Sequence, residues 1–372
     1  MLAALSIGGF GVALLLSLLL TPLVKGWALR FGAVALPNAR SVHKRPMPSA
    51  GGAAMFAAFA AGFGAAVPLL GESLKLYAGL LAGAALMTVV GVLDDRYNLP
   101  ARWKLLGQAA AASAAVLAGL HIELVNLPFG EAVMELQWLS GPLTVFWIVA
   151  VCNAVNLMDG LDGLAGGVSA IATAAVLAMA ILMNNPPVVV LCAALLGSIL
   201  GFLRYNKAPA SIFMGDTGSL FLGYCLAALS VFGFKQVAFF SLISPLLIVG
   251  VPLADTLLAM VRRKRNKTPI FAADKGHLHH SLLGLGFDTK TTVRILYGSS
   301  ALFGLCALGL SQDVLWLAVV VLVVVVLLLY LGAELVGAFS LPRKPLLTVL
   351  RRGYASYRRL RDKRRTVKGG PA

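Results

Sequence analysis

Apolar residues fill most of the chain in long runs that short polar segments separate. A helix that crosses a bilayer needs about 20 consecutive, mainly apolar residues. Eleven runs approach that length, near residues 3–24, 51–70, 76–93, 103–120, 139–157, 163–183, 187–204, 218–234, 236–261, 291–311 and 314–336. The pattern predicts an all-α polytopic membrane protein with about eleven transmembrane helices.

Two segments outside this pattern are also informative. The segment 121–138 alternates weakly around Pro128, Phe129 and Gly130, which predicts a small β-hairpin. No basic residue precedes the first apolar run, whereas Lys25 and Arg30 follow it. A signal peptide has the opposite arrangement, so we expect a retained helix.

Composition and charge support a membrane protein. Hydrophobic residues make up 59% of the 372 residues and charged residues only 12%. These values exclude a disordered chain, a coiled coil and an ordinary soluble enzyme. The four cysteines form neither a disulfide framework nor a zinc motif.

The basic residues predict the orientation. Lys and Arg number 31 against 15 Asp and Glu. In a soluble protein this excess would suggest nucleic-acid binding, but in membrane proteins Lys and Arg mark cytoplasmic loops. If the N-terminus lies outside, every Lys and Arg except Lys75 and Lys235 falls on the cytoplasmic side. The sequence therefore predicts an external N-terminus, a cytoplasmic C-terminus and no nucleic-acid partner.

Apart from the tail and a few residues in outer loops, the carboxylates lie on the cytoplasmic side of this topology. They are Asp94, Asp95, Asp159, Asp162, Asp216, Asp255, Asp274 and Asp288. Carboxylates beside many cations at one membrane face are typical of a site that binds a polyanion together with a metal. Mg²⁺ is bound by carboxylate oxygens and by substrate phosphates.

Three motifs carry most of these carboxylates. GVLDD ends in the adjacent Asp94 and Asp95, for which a solvated helix end is the alternative. FMGDTGS holds Asp216, either as a helix N-cap or as a metal ligand beside helix-terminal amides. NAVNLMDGLDGLAGG has a polar residue at every third position, which predicts one polar stripe on a helix; its members are Asn153, Asn156, Asp159 and Asp162. The alternative is helix packing through small residues, with the polar side chains as caps.

A histidine motif follows four successive basic residues, which include Arg263. DKGHLHH contains His277, His279 and His280. Zinc binding is the alternative, but no cysteine is near and the neighbouring cations oppose a zinc site. Guanidinium and imidazolium groups suit phosphate oxygens better.

These motifs, in this order and on alternate inner loops, resemble the polyprenyl-phosphate N-acetylhexosamine-1-phosphate transferases. The resemblance covers about residues 1–310. It implies transfer of a sugar 1-phosphate from a UDP-sugar to undecaprenyl phosphate, with release of UMP and a requirement for Mg²⁺, for which Mn²⁺ is a candidate substitute. The location is then the bacterial plasma membrane, with the active site facing the cytoplasm, and a homodimer is the family expectation.

The resemblance also implies residue roles. Asp216 would bind Mg²⁺, and Asp94 and Asp95 would serve the metal–diphosphate centre and the lipid phosphate. The remaining candidates would bind substrate: Asn156, Asp159 and Asp162 line the nucleotide pocket, Phe213 stacks near uracil, Lys44 contacts the nucleotide, and Arg263, His277, His279 and His280 hold phosphate or sugar.

The histidine sequence HLHH, rather than three consecutive histidines, resembles the branch of the family that uses UDP-N-acetylglucosamine (UDP-GlcNAc). The whole motif is similar to Gram-positive initiators of wall teichoic acid. UDP-N-acetylmuramoyl-pentapeptide or another UDP-N-acetylhexosamine is the alternative donor. A membrane transporter is the alternative from another class, but transporters place ionisable groups near the bilayer midplane, and these runs are almost free of charge in their middles.

Two domains are predicted. Residues 1–340 form a transmembrane catalytic domain, and residues 341–372 form a basic cytoplasmic tail. Apolar residues recur at helical spacing in this tail beside arginines, as at Leu346, Leu350 and Tyr357. This pattern indicates an amphipathic helix on anionic lipid, with a disordered basic tail as the alternative.

Overall fold

Thirteen α-helices and two small antiparallel sheets build the described part of the chain. The computed structural model describes residues 1–36, 46–71, 74–122, 124–126, 133–233, 243–269, 276–311, 314–337 and 348. The helices are α1 (Leu2–Phe31), α2 (Gly52–Gly64), α3 (Leu74–Tyr97), α4 (Ala101–Leu117), α5 (Ser140–Met158), α6 (Leu164–Leu182), α7 (Pro186–Asn206), α8 (Gly215–Gly233), α9 (Ile243–Ile248), α10 (Gly250–Arg265), α11 (Leu278–Gly284), α12 (Thr289–Leu310) and α13 (Leu315–Val336). The strands are β1 (Val34–Ala35), β2 (Met47–Pro48), β3 (Leu124–Asn126) and β4 (Val133–Glu135).

The all-α polytopic membrane fold is confirmed. Within the described ranges, nine helices are long and apolar enough to cross a membrane: α1, α2 with the turn after it, α3, α5 with the turn before it, α6, α7, α8, α12 and α13. Two predicted segments fall outside this set. The segment 103–120 forms α4, which has 17 residues, and the segment 236–261 is divided.

The prediction of one continuous helix over 236–261 is wrong. Residues 234–242 lie outside the described residues, and the remainder forms α9 and α10 with a break at Val249. In an unbroken helix, the ring of Pro252 would clash with the carbonyl of Ile248, four residues earlier. The break instead places Pro252 in the first turn of α10, where a missing N–H is tolerated.

The predicted hairpin in 121–138 is confirmed. Strands β3 and β4 pair antiparallel, with Leu124 opposite Glu135 and Asn126 opposite Val133. The basic tail 341–372 lies outside the described residues except Thr348, so its amphipathic helix stays a prediction.

Helix α8 lies at the centre of the bundle, where it contacts α2, α3, α5 and α6. In the apolar stretch of α8 that could cross a membrane, 89% of the residues are buried, against 17% in α1 and in α13. Small residues allow this packing, since a Cβ at Gly52 would lie 2.1 Å from the Gly218 nitrogen and one at Gly91 would lie 2.3 Å from the Thr217 Cα. The beginning of α8 is therefore pressed against the beginning of α2 and the end of α3.

Backbone hydrogen bonds fix the same junction. The amide of Phe213 donates to the carbonyl of Pro48 at 2.9 Å, and the Gly51 amide donates to the Phe213 carbonyl at 3.0 Å. The Gly52 amide donates to the Met214 carbonyl at 3.0 Å. This pairing holds the segment before α8 in place, and so sets the position of Asp216.

Candidate active site

Four helix ends meet in one polar cluster, which we call the carboxylate cluster. Its members are Asp94 and Asp95 from the last turn of α3, Lys104 from the first turn of α4, Asn156 from the last turn of α5, Asp159 just after α5, and Asp216 from the first turn of α8. The structure thus brings together five of the sequence-predicted site residues and adds Lys104, which the motifs did not identify.

The Lys104 ammonium lies between two carboxylates. Its Nζ is 2.6 Å from Asp94 Oδ2 and 2.5 Å from Asp216 Oδ2. The second oxygen of Asp94 accepts the backbone amide of Leu99 at 2.7 Å. Asp94 and Asp216 therefore each direct one oxygen at the same cationic group. An ion pair this enclosed depends on its geometry, because each charge has lost much of its hydration.

Asn156 binds the second oxygen of Asp216 and also accepts a hydrogen bond from Lys104 at 3.4 Å. Its Nδ2 donates to Asp216 Oδ1 at 2.5 Å and to the hydroxyl of Ser219 at 2.8 Å. The Asp216 side chain keeps 33% of its surface exposed, against 8% for Asp94. Of these two carboxylates, Asp216 is therefore the more open to an incoming ligand.

Asp95 binds the beginning of α8. Its two oxygens accept hydrogen bonds from the amides of Asp216 and Thr217 at 3.0 and 3.1 Å and from the hydroxyls of Thr217 and Ser49 at 2.6 and 2.9 Å. A carboxylate here satisfies amides that a helix leaves unpaired in its first turn. The alternative role for Asp216, capping its own helix, is thus performed by Asp95 from another helix.

The predicted four-residue polar stripe on one helix is wrong. Helix α5 ends at Met158, so only Asn153 and Asn156 lie on it, while Asp159 and Asp162 lie in the turn before α6. The chain reverses at Gly163, whose φ of +73° favours glycine. The four side chains consequently have different neighbours: Asn153 pairs with Gln108, and Asp162 accepts the amide of Ala210 at 2.9 Å.

Asp159 shows that the carboxylate cluster carries excess negative charge. Burial first, and then the charges of Asp216, Asp95 and Asp162, raise the pKa of Asp159 from 3.8 to about 8. Within the described part of the chain, Lys104 is the sole cation that pairs with Asp94 or Asp216. A further positive charge would relieve this repulsion.

The fit to Mg²⁺ follows from this donor set. No three described His, Cys, Asp or Glu side chains form a complete metal site by themselves. The oxygens of Asp94 and Asp216 nevertheless converge on one positive group, and hard divalent cations take carboxylate oxygens together with substrate phosphates. The oxygens of Asp95 already accept four hydrogen bonds, so Asp94 and Asp216 fit the cation better than Asp95 does.

The histidines form a second group, the histidine loop, comprising residues 276–280 at the beginning of α11. The rings of His277 and His279 are nearly parallel with centroids 6.0 Å apart, and His280 lies 4.2 Å from His279. A Cβ at Gly160 would lie 2.3 Å from His279 Nε2, so this loop borders the turn that carries Asp159. Burial, and then the charge of His280, lower the pKa of His279 to about 4. His279 is therefore a neutral imidazole at neutral pH, and its predicted contact with phosphate or sugar stays a prediction.

The other predicted residues are less informative. Lys44 lies outside the described residues. Phe213 is half-buried in the segment before α8, and Arg263 is buried in the last turn of α10. Their predicted contacts with uracil and phosphate stay predictions.

Comparison with known proteins identifies the family. The sequence model of glycosyl transferase family 4 matches residues 77–234, which contain the whole carboxylate cluster. A protein of Bacillus subtilis (strain 168) named probable undecaprenyl-phosphate N-acetylglucosaminyl 1-phosphate transferase is 40% identical over 340 residues, which cover 90% of this chain and 93% of that protein. This chain belongs to glycosyl transferase family 4.

Further relatives share parts of the chain. A decaprenyl-phosphate N-acetylglucosaminephosphotransferase of Mycolicibacterium smegmatis is 36% identical and covers 79% of this chain and 82% of its own length. A phospho-N-acetylmuramoyl-pentapeptide-transferase of Listeria monocytogenes is 41% identical over 164 residues, or 41% of this chain and 50% of that protein. Family 4 thus includes relatives named for two different sugar groups.

Sequence reasoning missed several residues of this family 4 site. Lys104 follows the paired aspartates at the beginning of the next helix, a position that could have been noticed. Ser49 and Thr217 contact Asp95, and Asp255 contacts His277. Thr217 lies within FMGDTGS and Asp255 is among the cytoplasmic carboxylates, but neither they nor Ser49 were selected as site residues, because their roles depend on contacts between distant segments.

Proposed function

We propose that this protein transfers GlcNAc-1-phosphate from UDP-GlcNAc to undecaprenyl phosphate, giving undecaprenyl-diphospho-GlcNAc and UMP. The 40% identity to the Bacillus subtilis protein, extending over nine-tenths of the chain, is the observation that carries this proposal. The product would be the first lipid intermediate of a cell-envelope glycopolymer, with wall teichoic acid as the expected one. Residues 1–340 would be the catalytic domain.

Mg²⁺ is the proposed cofactor, and Asp94 and Asp216 are the residues that would hold it. Bound there, a divalent cation would neutralise charge on the diphosphate and on the departing UMP. Asn156 fixes one oxygen of Asp216, and the amide of Leu99 fixes one oxygen of Asp94. Both carboxylates are therefore oriented before any ligand arrives.

The reaction needs positioning and charge neutralisation more than covalent chemistry. A phosphate monoester, whose second pKa is about 6, is mostly dianionic at neutral pH. An oxygen of undecaprenyl phosphate can thus form its bond to the β-phosphorus directly, as the bond between this phosphorus and the bridging oxygen breaks. UMP leaves with the electron pair, and no general base is required.

Lys104 would stabilise negative charge in this step. Its ammonium already contacts both Asp94 and Asp216, and only 15% of its side chain is exposed. Such an enclosed cation interacts more strongly with phosphate oxygens than a cation in water does.

An aspartyl phosphate on Asp94 or Asp95 is the mechanistic alternative. The hydrogen bonds at Asp95 argue against that residue, since all four would weaken as its charge moved to a phosphoryl group. Asp94 stays the candidate for this alternative, and direct attack is favoured because a dianionic lipid phosphate needs neither a general base nor a protein nucleophile.

The proposed topology has eleven transmembrane segments, an external N-terminus and an active site facing the cytoplasm of a bacterial cell. The distribution of Lys and Arg supports it. In the carboxylate cluster, the ends of α3 and α5 meet the beginnings of α4 and α8. Beside it, Asn206 at the end of α7 accepts the amide of Gly163 at the beginning of α6. All six helix ends would then lie at one membrane face, as the proposed topology requires. UDP-sugars are made in the cytoplasm, and in this orientation they would reach the carboxylate cluster directly.

UMP release by the purified protein in detergent tests the function. Undecaprenyl phosphate would be combined in parallel with UDP-GlcNAc, UDP-N-acetylgalactosamine or UDP-N-acetylmuramoyl-pentapeptide, with Mg²⁺, Mn²⁺ or EDTA. We expect Mg²⁺-dependent UMP release from UDP-GlcNAc alone.

Other results would change the proposal in defined ways. UMP from the pentapeptide donor, which the Listeria monocytogenes relative makes the second candidate, would keep the reaction and overturn the donor. Turnover in EDTA would overturn the role of Mg²⁺. No UMP from any donor, with folded protein that still binds UDP-sugar, would favour transport or binding.

A further inference from the structure

Asp255 is a buried carboxylate outside the carboxylate cluster. It lies in α10 and is only 1% exposed. Burying a charged carboxylate is costly unless its oxygens are hydrogen-bonded. Both oxygens of Asp255 are used: Oδ2 lies 3.0 Å from His277 Nδ1, and Oδ1 accepts the backbone amide of Leu278 at 2.7 Å.

Helix α10 holds the histidine loop at two points. Asp255 and Arg262 are seven residues apart, which places them two turns apart on the same helix face. The Arg262 guanidinium donates to the Gly276 carbonyl and, at 3.3 Å, to the Val336 carbonyl at the end of α13. The backbone on both sides of His277 is thus attached to one rigid helix.

The contact with Asp255 also selects the tautomer of His277. A carboxylate accepts hydrogen bonds, so His277 Nδ1 must carry the proton in this contact. The second ring nitrogen, Nε2, is then the one that can act toward a substrate. The ring of His277 lies nearly parallel to that of His279, and His279 lies against Gly160. The orientation of His277 is thereby linked to the turn that carries Asp159.

We propose that Asp255 is a positioning residue for the transferase reaction: it fixes the ring orientation and tautomer of His277, and with them the histidine loop beside the carboxylate cluster. This inference rests on the proposed function. Asp255 acts through His277 and does not itself touch the reacting atoms.

Asp255→Asn is the discriminating variant because it changes the tautomer and keeps the shape. The Leu278 amide can still donate to the Asn oxygen, which leaves the Asn NH₂ facing His277. That NH₂ is a donor, so His277 Nδ1 must lose its proton and Nε2 must gain it. We expect kcat to fall about 10- to 100-fold, with little change in KM or in the melting temperature.

A double-mutant cycle tests whether Asp255 acts through His277. If it does, Asp255→Asn combined with His277→Gln is no slower than His277→Gln alone, since coupled residues are not additive. The control cycle combines Asp255→Asn with Ser49→Ala, which removes the distant hydrogen bond to Asp95. In this cycle the reductions in kcat should multiply. Multiplying losses in the Asp255–His277 cycle would overturn the proposal.

A spectroscopic measurement makes the test independent of turnover. The chain has only five histidines, so ¹⁵N-histidine NMR signals can be assigned with single His→Gln variants. We expect a protonated Nδ1 for His277 in the wild type and a protonated Nε2 in Asp255→Asn. An unchanged His277 spectrum would overturn the proposal, as would a changed spectrum with undiminished kcat. If the wild type released no UMP from any donor, the proposed function would fail. The spectrum would still decide whether Asp255 fixes the tautomer of the His277 ring.

Discussion

The carboxylate cluster and the histidine loop lie side by side, but the pKa of a buried residue is shifted in opposite directions in the two regions. In the carboxylate cluster, repulsion adds to burial and drives the pKa of Asp159 up to about 8. In the histidine loop, burial drives the pKa of His279 down to about 4, so His279 adds no positive charge at neutral pH. The cluster therefore favours an added cation, whereas His279 is a neutral hydrogen-bonding group at neutral pH.

The two regions are also supported differently. The side chains of the carboxylate cluster come from α3, α4, α5 and α8 and bond to one another across long sequence separations. The histidine loop is one short segment that is hydrogen-bonded to α10 through Arg262 and Asp255. A change in the cluster should therefore disturb several elements at once, whereas a change in the loop should stay local.

The largest expected effect is that of Asp216→Asn. Removing this charge takes away the more exposed carboxylate that faces Lys104, so we expect turnover to fall on the order of 1,000-fold. UMP release against Mg²⁺ concentration would measure it. Substantial residual activity with an unchanged dependence on Mg²⁺ would refute the role of Asp216 as a ligand.

Lys104→Met should give the next largest loss, about 100-fold in turnover. The variant removes the cation between Asp94 and Asp216, so Mg²⁺ should raise its melting temperature more than that of the wild type. Arg102→Met is the matched control, because the Arg102 guanidinium lies over the Trp103 ring instead. Equal losses in both variants would show that Lys104 has no special place in the carboxylate cluster.

The sequence predicted the positions of the helices better than their exact ends and the contacts between them. Runs of apolar residues must form helices in lipid, where unpaired backbone groups are too costly, and this constraint is local. The break at Val249 depends on Pro252, and the turn that takes Asp159 away from α5 contains Gly163. These local effects compete with the apolar pattern.

The chemistry of the carboxylate cluster was predicted only in part, for a related reason. Their shared position on the cytoplasmic side identified Asp94, Asp95 and Asp216 as one group. The hydrogen bonds that distinguish Asp95 from the other two could not be predicted, because Asp95 reaches the amide of Asp216 across 121 positions of sequence. The same holds for Lys104, which is 112 positions from Asp216. Such contacts follow from helix packing and have no local signature.

The dependence of stability on pH tests the charge imbalance directly. The pKa of Asp159 in the folded protein lies above its ordinary value of 3.8, so the folded state binds this proton more tightly than the unfolded state does. The resulting stability is present at low pH and is lost as the pH rises through about 8. In EDTA, the melting temperature should fall by about 3 °C or more between pH 6 and pH 9.

Asp159→Asn should reduce this fall, and so should Mg²⁺ added to the wild type. The measurement is thermal unfolding in detergent at each pH, with and without Mg²⁺. A melting temperature that rises with pH in EDTA would contradict the charge excess and remove the electrostatic difference between the carboxylate cluster and the histidine loop.

Thr217→Val should have the smallest effect on activity and would separate Asp95 from the reacting groups. The variant removes one hydroxyl bond to Asp95 and keeps the three others. A hydrogen bond to a charged group contributes about 2 kcal/mol, so the melting temperature should fall clearly while turnover falls less than about tenfold. Asp95 would then serve mainly to hold α8, and through it Asp216, in place. If Thr217→Val instead matched Asp216→Asn in lost turnover at an unchanged melting temperature, Asp95 would belong with the residues that act on the substrate.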